Sequence, residues 1–175
     1  MGAYGAGERE NVLMSDEQSG VTDPPESLGA VVHGPIVLGR APGIAVGLRC
    51  IFGYPSGLSL QVVLRARGVQ AEAAARRSEY AGVGYQGHGS TARRPQELLS
   101  VDVAGRLHPL SPVHTETSSG DDVFDHEATY WLSPLPRERE LVLVVAWPQA
   151  GLPEQTCRLT LGELHDLSER VLPLS

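Results

Sequence analysis

Two stretches of the chain alternate strictly between apolar and polar or small residues. In the first, Ile44, Val46, Leu48, Cys50 and Phe52 alternate with Ala45, Gly47, Arg49 and Ile51. In the second, Leu58, Leu60, Val62 and Leu64 alternate with Ser59, Gln61, Val63 and Arg65. A period of two is the mark of strands buried on one face. Gly53-Tyr54-Pro55-Ser56-Gly57 between them reads as a five-residue turn, so the pair is predicted to be a β-hairpin. Symmetric closure sets Phe52 against Leu58, Cys50 against Leu60 and Leu48 against Val62, apolar against apolar throughout.

The remaining elements follow from the same reasoning. Val31–Arg40 reads as a strand interrupted at Gly34-Pro35, and the alanine-rich Val69–Tyr80 as a short helix. Residues 81–96 read as a glycine-rich loop. Leu98–Ala104 is a predicted strand that turns at Ala104-Gly105-Arg106. Residues 107–127 carry few apolar positions and read as loop, followed by a strand over Ala128–Leu132. Leu141 to Trp147 is apolar on both faces, as expected of a covered central strand. Thr156–Leu161 alternates with Cys157, Leu159 and Leu161 inward. Thr160 and Glu163 stand at capping-box spacing before Leu164, Leu167 and Val171, which predicts a closing helix. The implied fold is all-β: an antiparallel, immunoglobulin-like β-sandwich of about seven strands with one short C-terminal helix.

Composition agrees, and it locates the charge. The 41% hydrophobic content is enough for a core, and 20 glycines with 13 prolines favour turns over long helices. All 14 basic residues are Arg, a usage that fits a GC-rich genome. Residues 1–27 carry six acidic side chains against Arg9, −5 of the net −7, which leaves −2 for the rest. They are read as a disordered acidic tail, with the domain over 28–175. Gly7-Glu8-Arg9-Glu10-Asn11 resembles a translated purine-rich leader, so either Met1 or Met14 is the start. A nearly neutral domain offers no field for nucleic acid or for an anionic membrane. Neither a long apolar run nor a secretory signal is visible, so the expected location is the cytoplasm. Cys50 and Cys157 occupy apolar strand positions and are expected to be reduced core residues.

Trp131-Leu132-Ser133-Pro134-Leu135-Pro136, followed by the apolar strand and then Trp147-Pro148-Gln149-Ala150-Gly151-Leu152-Pro153-Glu154, forms a distinctive pair of blocks. Together with Tyr54-Pro55-Ser56-Gly57-Leu58 and Leu64-Arg65-Ala66-Arg67, they resemble a family of actinobacterial proteins without an established activity. The resemblance covers about residues 44–67 and 98–172. It implies a fold and a lineage, and it supplies no catalytic residues.

The chemistry-bearing residues divide into a few groups. Gly82-Val83-Gly84-Tyr85-Gln86-Gly87 has the lettering of a dinucleotide loop, but no buried strand precedes it, so it reads as plain loop. Ser56, Ser90 and Cys50 lack the settings of nucleophiles, and His33, His88, His108, His114, His126 and His165 are scattered. Asp121, Asp122, Asp125 and His126, with Glu127, are the densest set of potential metal ligands. Gly43, Ala45 and Gly47 are expected opposite Arg67, Arg65 and Val63, a shallow surface edged by guanidiniums. Arg49, Arg65, Arg67 and Trp131 are therefore the candidate binding residues.

These residues favour a non-enzymatic protein-interaction or accessory module, with no cofactor and with another protein or a second copy as partner. Two alternatives stand beside it. One is a metal-assisted hydrolase or metal-binding protein using the loop from Asp121 to His126. The other is a sandwich that binds carbohydrate or peptide.

Overall fold

The computed structural model describes residues 26–83 and 98–174, with side chains omitted for 79–83. Residues 1–25 of the expected tail, the alternative start sites, His88, Ser90 and most of the Gly82–Gly87 stretch lie outside the described residues, and Ser27, the last residue assigned to the tail, already belongs to a strand. In chain order the strands are β1 (Ser27–Leu28), β2 (Ala30–His33), β3 (Ile36–Ala41), β4 (Ile44–Tyr54) and β5 (Gly57–Arg67). Helix α1 (Val69–Val83) follows, then β6 (Leu99–Val103), β7 (Arg106–Pro109), β8 (Pro112–Ser119), β9 (Val123–Leu132) and β10 (Glu140–Trp147). A 3-10 turn (Pro148–Ala150) leads to β11 (Leu152–Thr160), α2 (Leu167–Arg170) and β12 (Leu172–Pro173).

All pairings among these strands are antiparallel. The larger sheet runs β2-β4-β5-β9-β8, with β3 continuing β2 along the same side of β4. The smaller runs β11-β10-β6-β7, and β1 pairs with β12. Leu58, Leu60, Leu64 and Tyr130 of the larger sheet share one core with Leu99, Leu143 and Leu159 of the smaller. Burying each such side chain is worth about 1.5–3 kcal/mol. The protein is thus an all-β sandwich, and no helix among the described residues is long and apolar enough to cross a membrane.

The β4–β5 hairpin departs from plain alternation at one point. Leu48 stands opposite Val62 as expected, but Cys50 pairs with Gln61, Ile51 with Leu60 and Phe52 with Ser59. Arg49 and Cys50 together oppose a single partner, which is a β-bulge, and the inward set changes parity beyond it. Ile51 is fully buried and Gly53 faces the core, whereas Cys50 and Phe52 turn to the outer surface. The changed parity puts a glycine where the space is closed: a Cβ at Gly53 would meet Leu167 Cδ2 at 2.9 Å and Val32 Cγ1 at 2.9 Å. Leu167 of α2 seats flush against backbone at that spot. The turn is also tighter than expected, because Tyr54 pairs with Gly57 and leaves only Pro55-Ser56 between them.

Three further expectations change. Residues 107–127 are mostly strand: β7 and β8 are polar because they are exposed strands at the sheet edges, and the start of β9, inside the larger sheet, turns Asp125 and Glu127 outward in alternation with an inward row that begins with the buried Phe124. Helix α1 runs to Val83 and packs Ala71 and Ala74 against the core, so its apolar face is made of alanine. The closing helix is only Leu167–Arg170, because Thr160 ends β11 and Asp166 takes the N-cap position. The Ala104-Gly105 turn stands as read, with both residues at positive φ and Asp102 Oδ1 accepting from the Gly105 amide at 2.8 Å.

Candidate binding face

Reading the register across the larger sheet gives rows of outward side chains. Val31, Phe52, Ser59 and Trp131 form one row, and Cys50, Gln61, Thr129 and His114 the next. Then come Gly47, Val63, Glu127 and Glu116, followed by Ala45, Arg65, Asp125 and Ser118. Arg49 projects from the bulge between the second and third rows, and Arg67 lies at the far end, opposite Val123. The four residues expected to bind, Arg49, Arg65, Arg67 and Trp131, are therefore placed on one face. The expected apposition of Ala45 with Arg65 and Gly47 with Val63 is present, and the Arg67 amide donates to the Gly43 carbonyl at 2.8 Å.

Strand β9 changes the electrostatics of this face. Its Asp125 carboxylate lies 3.1 Å from Arg65 Nε, and Glu127 accepts a hydrogen bond from the Arg49 guanidinium. The cations are matched by carboxylates one strand away, so the face is a ladder of opposite charges. These pairs are half exposed, and each contributes at most about 1 kcal/mol. On β8, Glu116 stands directly opposite Glu127. Such like-charge neighbours repel, and Arg49 sits where it offsets them.

Arg49, Gln61, His114, Glu116, Glu127 and Thr129 surround a concavity of about 240 Å³. Outside this concavity, one row further along the face, Trp131 packs on Tyr54, ring centroids 5.6 Å apart, and lies over Gly57. A Cβ on Gly57 would fall 2.4 Å from the Leu132 carbonyl oxygen and 2.9 Å from Trp131 Cζ2. Trp131 is thus half-buried, held edge and face by its neighbours. In sequence Glu127 reads only as a potential metal ligand and Gln61 only as an outward hairpin position, while His114 and Glu116 of β8 are tied to no site. The alternation of Val113, Thr115 and Thr117 with His114, Glu116 and Ser118 is the signal that places them.

The residues considered for a metal are not brought together. Asp121 and Asp122 lie exposed in the β8–β9 turn, and Asp125 faces Arg65 on the outer surface. His126, next along the strand, points inward, as strand geometry requires. Its ring stacks on Phe124 with centroids 6.5 Å apart, and Thr117 Oγ1 lies 2.9 Å from its Nδ1. Burial pushes the His126 pKa down. Among the described residues, no group of three or more His, Cys, Asp or Glu side chains is placed to hold a metal ion.

The two cysteines are free, and burial raises both thiol pKa values. Cys157 packs against the core, but Cys50 lies on the outer face with Sγ 3.5 Å from Gln61 Oε1, a consequence of the bulge. Trp147 points inward and meets Phe124 edge-on at 6.0 Å, as its place in the apolar row implies. Comparison with protein-family models, with curated proteins and with solved structures gave no match.

Proposed function

We propose that the protein is a non-enzymatic β-sandwich module that binds another polypeptide through the outer face of its larger sheet and the adjoining edge strand β8. The observation that carries this reading is the gathering of Arg49, Arg65, Arg67 and Trp131 on one face that ends in an exposed strand. An extended chain laid along β8 finds backbone groups to pair with and side-chain features beside them, the combination used in β-augmentation. The actinobacterial lineage and a cytoplasmic setting, in which the Cys50 and Cys157 thiols stay reduced, belong to the same proposal.

A photo-reactive amino acid placed at Glu116 tests it in the native host. Covalent adducts to a polypeptide are expected there, and not when the same group replaces Arg158 on the other sheet. Absence of any adduct at position 116 overturns the reading.

A further inference from the structure

Among the described residues the two sheets end in β11 and β7 and in β2/β3 and β8; β3 and β11 lie against each other, bridged by the Gln155 side chain, whereas β7 and β8 are edges built differently from one another. Edges are usually guarded by shortness, by proline or by a positive charge. β7 has four residues and carries Arg106 and Pro109 at its ends. β8 has eight, Pro-Val-His-Thr-Glu-Thr-Ser-Ser, with all but Val113 exposed and no Arg. Its only proline is the first residue, and beyond it the sequence is β-branched and polar, a good strand former.

The order of side chains on β8 is self-complementary. Two copies of an antiparallel strand related by a two-fold axis at Thr115 set each His114 opposite the other's Glu116 and each Val113 opposite Thr117. Moving the axis to Glu116 opposes two carboxylates, and moving it to His114 loses both His–Glu contacts. The acidic segment of residues 1–27 is a poorer occupant, because it brings like charge to Glu116.

We infer that β8 pairs with β8 of a second copy, centred on Thr115, to give one sheet continuous through the dimer. This rests on the reading of β8 as a recognition edge and names its occupant. The concavity lined by Arg49, Glu116 and Glu127 is then completed by the second copy's His114, which reaches Glu116 from across the axis. The symmetric contact closes on itself, as a two-fold dimer must.

Two measurements on the full chain decide. In a Cys50→Ala, Cys157→Ala background, Thr115→Cys is expected to form an intermolecular disulfide on mild oxidation, since paired strand residues bring Cα atoms within bonding range. Thr117→Cys is not, because the two copies of that residue lie about 13 Å apart along the sheet. Sedimentation equilibrium is expected to show a dimer. Glu116→Arg should weaken it about tenfold, since both His114–Glu116 contacts across the axis are lost. The same substitution turns the Glu116–Glu127 opposition into an attractive pair, so the fold is retained.

A monomer at all concentrations, or equal cross-linking at 115 and 117, overturns the inference. Were the photo-adduct at 116 to contain a different protein while the purified chain stays monomeric, the binding reading would stand and self-pairing would fall. A missing adduct alongside a dimer cross-linked at 115 would leave self-pairing in vitro and remove the cellular binding role.

Discussion

Single residues show where alternation holds and where it breaks. Ile51 looks solvent-facing in sequence yet is buried to 0% exposure, while Phe52 next to it faces outward. Ile51→Ala is therefore expected to cost about 2–4 kcal/mol in urea unfolding, and Cys50→Ser less than about 1 kcal/mol. Plain alternation would reverse that order. Gly57→Ala should also destabilise, by about 1–3 kcal/mol, because the new methyl group meets the Leu132 carbonyl and the Trp131 ring. His126 supplies the pH dependence. Its folded-state pKa lies below the ordinary 6.5, so its contribution is whole above pH 6.5 and is lost as pH falls through the depressed value. Thermal stability should decline below about pH 6.5, and His126→Gln should flatten that decline.

Among the elements, the strands that alternate apolar with polar are legible and the edges are not. The β4–β5 pairing is readable up to Leu48, because local apolar matching sets it. The bulge is invisible, since the contact its parity change sets up, Gly53 under Leu167, joins residues more than a hundred apart in sequence. β8 carries no buried large side chain, so hydrophobic periodicity has nothing to report there, and only the Val/Thr alternation marks it. α1 is weak in pattern because alanine is its contact residue. The candidate face follows the same division. Arg65 opposite Ala45 comes from the hairpin, whereas Asp125 and Glu127 come from a pairing some sixty residues distant. That long-range strand explains why guanidiniums that look available in sequence are matched by carboxylates in the fold. Arg49→Ala should accordingly lower stability by no more than about 1 kcal/mol, an effect that salt diminishes.

At the scale of the molecule the sandwich is closed on one side and open on the other. On the closed side β3 and β11 lie together without a backbone ladder between them among the described residues. The Gln155 side chain bridges instead, its Oε1 accepting from the Arg40 amide at 3.0 Å and its Nε2 donating to the Arg40 carbonyl at 2.8 Å. A Cβ on Gly39 would sit 2.8 Å from Val145 Cγ2, which shows how closely the sheets approach there. In mechanical terms this is a seam stitched at two points, by Gln155 and, beyond the end of β11, by the Gly162 amide donating to the Val32 carbonyl at 2.6 Å. Thermal breathing or an applied force should part the sheets along it before any ladder yields. The Arg40 amide would then report the parting by exchanging its hydrogen faster in a Gln155→Leu variant, while the amides of β10 keep their protection.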